Sequence, residues 1–227
     1  AKVTKTAGKR FIVDAITGVG VHPLPQDEWG VDVVITGSQK GLMSPPGLAT
    51  VSIAPWAFDA IEGEKLPRFY WDLRKARKNL PAGESAWTPP VSLIFAVEEA
   101  IAMMKEEGLE QVHRRHARLG AAVRAGAQKL GWSLFSKSPA NGVTAITPPA
   151  GVDASATLKR LREVHGITVA GGQDDWKGKM IRIGHMGSYD LSDMYVVLGA
   201  LEECVNALGH KADGACSAAR EAWEAAS

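Results

Sequence analysis

Cysteine is nearly absent: Cys204 and Cys216 are the two in 227 residues, both in alanine-rich sequence near the C-terminus. There is no CxxC pair, and no histidine stands near either cysteine at metal-ligand spacing. That excludes a disulfide framework and a cysteine-built metal site, and it fits a reduced, cytoplasmic protein. Excess charge of either sign is missing too. Lys and Arg number 26 against 25 Asp and Glu, for a net charge of +1. A balance this even gives no electrostatic footprint for nucleic acid or an anionic membrane. No apolar run approaches the roughly 18 residues that a membrane-spanning helix needs. The first ten residues carry Lys and Arg without a following apolar stretch and cleavage site, so they do not read as a signal peptide.

What remains is ordinary globular usage, 45% hydrophobic and 22% charged residues, in a chain long enough for one large domain or two small ones. Ala7-Gly8-Lys9 reads as a helix end with a glycine stop, and the chain is expected to begin in mid-fold. Residues 11–15, 31–36 and 48–53 are short apolar, β-branched runs. They are apolar on both parities, which predicts strands covered on both faces. A Gly/Pro-rich loop, Gly18 to Pro25, and a helical scrap at Gln26–Trp29 separate the first two.

Residues 55–88 are rich in aromatics, which are expected to pack together rather than stack on nucleic acid, since no basic patch accompanies them. Pro89-Pro90 open a long helix over 90–107, and a second follows over about 109–131. After it the units become smaller. Strands are predicted at 132–136, 142–147, 167–170 and 180–184, and helices at 153–165 and 190–208, started by Asp153 and by Asp190 or Ser192. The expected division is 1–120 for the C-terminal portion of a large α/β domain, 121–208 for a small α+β domain, and 209–227 for a helical or disordered tail.

Three polar residues stand where chemistry is done. Asp14 ends an apolar strand, the place where open α/β sheets present ligand-binding groups. Lys40 follows the second strand in a turn flanked by Gly37 and Gly41, which lets backbone pass close to a ligand. Arg182 lies inside Met180-Ile181-Arg182-Ile183-Gly184, where a lone cation needs an anion. His113 and His116 are a turn apart and form a possible metal pair. No third ligand is at hand, and Arg114 and Arg115 between them point to a solvated face.

The run Val13-Asp14-Ala15-Ile16-Thr17-Gly18, then Asp32 to Leu42 with Gly37-Ser38-Gln39-Lys40-Gly41 at its heart, then Pro45-Pro46-Gly47, resembles the class V aminotransferases. It is most similar to the alanine–glyoxylate and serine–pyruvate or serine–glyoxylate group. Phe69-Tyr70-Trp71-Asp72-Leu73, Trp87-Thr88-Pro89-Pro90 and Arg182-Ile183-Gly184-His185-Met186-Gly187 add to the match.

The resemblance implies the C-terminal part of a fold-type I large domain, a mostly parallel sheet with flanking helices, plus a small α+β domain. It implies pyridoxal 5'-phosphate held as a Schiff base on Lys40, and Asp14 against the pyridine nitrogen. Ile16 would pack on the ring and Gln39 would reach the phosphate. Thr88 would reach the phosphate of a neighbouring subunit's cofactor, in a homodimer with shared active sites. Arg182 would bind the substrate carboxylate. The implied reaction passes nitrogen from serine or alanine to glyoxylate or pyruvate.

The resemblance covers about the last three-fifths of the family's usual length. A phosphate-cradling loop and a second ring-stacking residue are expected on a separate N-terminal chain or segment. Two other readings stand beside this one. One is a lyase like the cysteine desulfurases, which tend to have His where this chain has Gln39, and which use a mobile loop cysteine. The other is a non-catalytic subunit or interaction protein.

Overall fold

Apolar runs of three to five residues bounded by glycine, proline and polar turns build two separate sheets in this chain. The computed structural model describes residues 1–226. These fall into two compact units, Ala1–Val19 with Pro23–Met103, and Gly20–His22 with the chain from Met104 onward.

In the first unit, helix α1 (Lys2–Thr6) leads into strand β1 (Ile12–Asp14). Helix α2 (Gln26–Trp29) ends on Gly30 in the left-handed region and hands over to β2 (Val33–Gly37). Strand β3 (Ala49–Ile53) completes a sheet of order β1-β2-β3. β1 and β2 are parallel, with Asp14 opposite Ile35, while β3 runs antiparallel to β2. The sheet is therefore mixed over this stretch. A run apolar on both parities marks a strand without fixing its direction.

The expected cover on both faces is not met among the described residues. Ile12 and all of β3 except Ile53 are exposed, and the small core here is Ala15, Val31 and Val34. Asp32 is a buried carboxylate at the start of β2. It accepts hydrogen bonds from the Phe11 N–H at 2.7 Å, the Trp56 indole at 2.8 Å and Arg10 at 3.3 Å. The Phe11 bond leads in holding its pKa below the usual carboxylate range.

Beyond β3 come α3 (Phe58–Gly63) and α4 (Leu73–Asn79), capped by the Asp72 side chain. The aromatics on either side of α4 do pack on each other. Tyr70 stacks on Trp87 at 5.2 Å, Phe69 meets Trp87 at 5.0 Å, and Lys75 lies over both Phe69 and Trp87. They do not form a core, however: Phe69, Tyr70 and Trp71 are exposed.

Helix α5 (Val91–Glu107) starts directly after Pro89-Pro90 and ends in the second unit. There α6 (Leu109–Lys129), α7 (Ala154–His165), α8 (Leu191–Ala207) and α9 (Ala215–Ala225) accompany a four-stranded sheet. Its strands are β4 (Ser133–Leu134), β5 (Val143–Thr147), β6 (Ala170–Gly171) and β7 (Ile181–Gly184), in the order β4-β5-β7-β6, with every pair antiparallel. One sheet face carries Ile146, Ile181 and Ile183 into a core with Leu119, Val123, Leu161, Leu198 and Leu201. The period-2 alternation of a half-buried sheet is plain here, since Val143, Ala145, Thr147 and Arg182 lie on the less buried face. Among the described residues no helix is long and apolar enough to cross a membrane.

Candidate active-site residues

Parallel pairing makes β1 and β2 finish at the same end of their sheet, and two of the candidate residues stand there. Asp14 is the last residue of β1 and is exposed. Its Oδ1 accepts the Ile16 N–H at 3.1 Å, a tight local turn that sets the chain direction and leaves Ile16 half-buried. Among the described residues Oδ2 has no partner.

Lys40 lies three residues past the end of β2, half-buried, with Gln39 exposed beside it. The loop is fixed by Ser38, which is buried. Its N–H donates to the Leu48 carbonyl at 2.9 Å, and its carbonyl accepts from the Ser44 N–H at 2.9 Å. Its hydroxyl donates to the Pro45 carbonyl at 2.7 Å. Ser38 thus ties both ends of the 38–48 loop, and Gln39 and Lys40 ride on its turn. The Lys40 carbonyl accepts the Met43 N–H at 3.0 Å, and Met43 takes the left-handed backbone (φ 54°) that closes the turn. Among the described residues no carboxylate pairs with the Lys40 amine. In the sequence Ser38 stands in the Gly-Ser-Gln-Lys run without a role of its own. Its position between a strand end and Pro-Pro-Gly was the available signal.

Thr88 is exposed, ahead of Pro89-Pro90 and of the first turn of α5.

Arg182 sits in the second unit, in the middle of β7 and half-buried. Ala145 on β5 and Ala170 on β6 flank it in register. Its Nε donates to the Gly171 carbonyl at 2.9 Å, and among the described residues it has no acidic partner. A guanidinium held through Nε keeps its two terminal nitrogens for a forked contact with a carboxylate. Gly171-Gly172 follow the strand-like run 167–170, and Gly172 is required by packing. A Cβ there would lie 2.0 Å from the Trp176 carbonyl oxygen.

The histidines correct one expectation. His116 is fully buried rather than solvated. Its Nδ1 pairs with the Val112 carbonyl at 2.7 Å, and its Nε2 accepts the Gly187 N–H at 2.9 Å. The solvated face suggested by the neighbouring arginines is occupied instead by the chain after β7. Arg115 binds the carbonyls of Gly187 and Tyr189 and forks onto Glu107. His185 is also buried, with Nε2 on the Thr144 hydroxyl at 2.8 Å. Burial, reinforced by the Arg124 charge, pushes its pKa down to about 4. No pattern in the sequence marked His185 or Gly187 as part of a buried polar link.

The cysteines sit in helices. Cys204 is buried in α8, and Cys216, in α9, is half-buried with Sγ toward the Tyr195 carbonyl. Burial pushes both thiols up.

Comparison with known proteins gives a consistent answer. The profile of the family described as "Aminotransferase class-V" matches residues 1–189. The chain is 44% identical over 204 residues to the protein named "Soluble hydrogenase, small subunit" of Synechococcus sp., covering 88% of this chain and 52% of that protein. It is 40% identical to a serine–glyoxylate aminotransferase of Methylorubrum extorquens, covering 84% of this chain and 49% of that enzyme. Among solved structures it superposes on pyridoxamine–pyruvate aminotransferase from Mesorhizobium loti with a TM-score of 0.88 at 29% identity, covering 99% of this chain and 59% of that one. The chain therefore spans about half the length of the curated relatives it matches.

Proposed function

The chain belongs to the class V aminotransferases, and on that premise we propose that it carries the lysine, the pyridine-facing carboxylate and the carboxylate-binding arginine of a pyridoxal phosphate-dependent transamination. The observation that carries the reading is the shared end of the sheet: Asp14 closes β1 and Lys40 follows β2, and the two strands are parallel. The residues present fit the cofactor. The Lys40 amine has no ion-pair partner among the described residues, the Asp14 carboxylate is exposed with one oxygen unused, and Ser38 fixes the turn between them and the rest of the loop. When bound, the cofactor supplies the electron sink that lets a proton leave the amino acid's Cα.

The chain's own residues then divide the work. Lys40 would hold the cofactor, and its amine would serve as the general base for the proton at Cα. Asp14 keeps the ring nitrogen protonated by charge pairing. Ile16 packs on the ring, Gln39 reaches the phosphate, and Thr88 reaches the phosphate in a partner subunit of a homodimer. Arg182 forks onto the carboxylate of a small amino acid, serine or alanine, and of a small 2-oxo acid, glyoxylate or pyruvate. The name of the Methylorubrum relative supports serine and glyoxylate, and that of the Mesorhizobium relative supports pyruvate.

Two buried or half-buried helical thiols with raised pKa speak against the desulfurase reading, which needs a reactive cysteine on a loop. A non-catalytic subunit is a second reading, favoured by the name of the Synechococcus relative. Borohydride treatment in saturating cofactor, followed by peptide mass mapping, separates the two. Preferential trapping on Lys40, abolished in Lys40→Ala, is expected. Labelling spread evenly over surface lysines would sink the catalytic reading. Because the chain spans half of its relatives, cofactor binding to the 227 residues alone is expected to be weak and to tighten when the remaining half is supplied. Equilibrium dialysis measures both.

A further inference from the structure

Residues 185–189 join β7 to α8 and lie against α6 as a strap. The backbone of the strap is pinned in three ways. The His185 N–H donates to the Gly142 carbonyl at 3.0 Å, and the Gly187 N–H donates to His116 Nε2 at 2.9 Å. Arg115 donates to the carbonyls of Gly187 at 2.7 Å and Tyr189 at 3.1 Å. Gly187 is buried at φ 97°, a backbone that any side chain would strain, so its peptide is free to turn both ends to these partners. Apart from His185 the strap buries little else: Met186 is half-buried, and Ser188 and Tyr189 are exposed.

The two bonds to His116 fix its charge state. The Val112 carbonyl can only accept, so Nδ1 carries a proton, and the Gly187 N–H can only donate, so Nε2 carries none. The ring is therefore neutral while the strap is closed. A second proton would have to sit on Nε2, pointing at the Gly187 N–H, and two donors cannot share one bond. His185 sets a similar condition from within the strap. Its Nε2 meets the Thr144 hydroxyl at 2.8 Å, and among the described residues its buried Nδ1 has no partner, so a charged ring would hold an unsatisfied N–H there. The ends of the strap are held separately, by the pairing of Gly184 with Val143 and by the Asp190 cap of α8. The strap can lift without unpairing either.

We propose that residues 185–189 are a proton-released strap, closed while His116 is neutral and lifted from α6 when His116 takes a second proton at Nε2. The groups that act on the His116 charge are Arg115 and His113 on its own helix, Glu107 from the end of α5 and His185 from the strap. His113 in turn faces His22. At the start of α8, Asp190 and Asp193 are spent on the cap. Burial leads in pushing the His116 pKa down. Glu107 favours the charged ring, but it is forked onto Arg115, which leads in holding its own pKa below the usual carboxylate range. Glu107 therefore stays ionised while the histidines titrate. In the open strap His116 meets water and titrates near the ordinary 6.5. The closed strap is then fully favoured above about 6.5 and loses ground as pH falls, by up to about tenfold per pH unit, until the closed-state pKa is passed. The device needs neither cofactor nor substrate, so it stands apart from the transamination reading.

The test is amide exchange in the 227-residue chain at about pH 7.5 and about pH 5.5, corrected for the intrinsic rate, and read at Gly187 and at Leu198 in the core of α8. Protection at Gly187 is expected to fall at least about fivefold more than at Leu198, which reports global unfolding. His116→Gln offers an amide that can make both backbone bonds without titrating. It is expected to keep Gly187 protected near pH 7.5 and to cut the fall at least about fivefold. His185 is present in both chains, so its share cancels in that comparison. Equal falls at Gly187 and Leu198 in the native chain, or a fall that His116→Gln leaves unchanged, would overturn the strap. Ring nitrogen shifts of the native chain give a check that needs no variant. Near pH 7.5 His116 is expected to carry its proton on Nδ1, and a proton found on Nε2 instead would overturn the strap as well.

Discussion

His185 shows how a single side chain can set a pH limit. It is buried, neutral and tied to Thr144, and its pKa of about 4 lies below the ordinary 6.5. As pH falls, the unfolded chain takes up this proton before the folded one. The stability from keeping His185 neutral is therefore fully present above about 6.5 and is lost between there and about 4. The loss is on the order of 3 kcal/mol, from 1.36 kcal/mol per pH unit of separation. Urea midpoints measured between pH 7 and 4.5 are expected to fall accordingly, and His185→Gln is expected to flatten the dependence. A profile unchanged by that substitution would assign the acid sensitivity elsewhere. Asp14, Lys40 and Arg182 were visible in the sequence because each is a charged residue at the end of, just after or inside an apolar run. His116 was not, because a buried histidine looks like any other histidine until the chain after β7 is seen to cover it, and His185 is the first residue of that chain.

Helix starts were the most legible elements, since a capping side chain acts on its own neighbours. Asp153 accepts the Ala156 N–H at 2.7 Å, and Asp190 accepts from Ser192 and Asp193 while the Asp193 carboxylate accepts the Asp190 N–H. Asp190→Ala is expected to lower unfolding free energy by about 1 kcal/mol, read from denaturant midpoints. α8 buries Met194, Leu198 and Leu201 directly behind this cap. Strands were less legible. The run 167–170 reads as a strand, yet only Ala170 and Gly171 pair with β7. The Ile167 N–H is taken by the Leu161 carbonyl at the end of α7, so helix termination uses the residues that alternation assigned to the sheet. Likewise nothing local distinguishes antiparallel β3 from its parallel neighbours. Direction is a tertiary property, decided by which edge the following chain returns to.

The two units differ in how much they bury. The second has a continuous apolar core reaching from Leu119 to Ala219, whereas the first has a small cluster of Ala15, Val31 and Val34 with a few scattered buried residues such as Leu42 and Val97, and leaves Phe69, Trp71, Leu80 and Phe95 exposed. Apolar burial is the main source of stability, so unfolding is not expected to be a single transition. In hydrogen exchange under rising urea, β1–β3 should lose protection first, with α6 and α8 last. Simultaneous loss throughout would argue for one cooperative unit. The first unit's sheet has a further consequence at its margins. Among the described residues no strand pairs with the outer side of β1 or of β3, and β3, Ala-Thr-Val-Ser-Ile, has neither charge nor proline. Such a margin accepts any extended segment of another molecule. In concentrated solutions of this chain alone, shelf life is then governed by nucleated growth: a lag, followed by rapid thickening, shortened by seeding and lengthened by one lysine placed on β3.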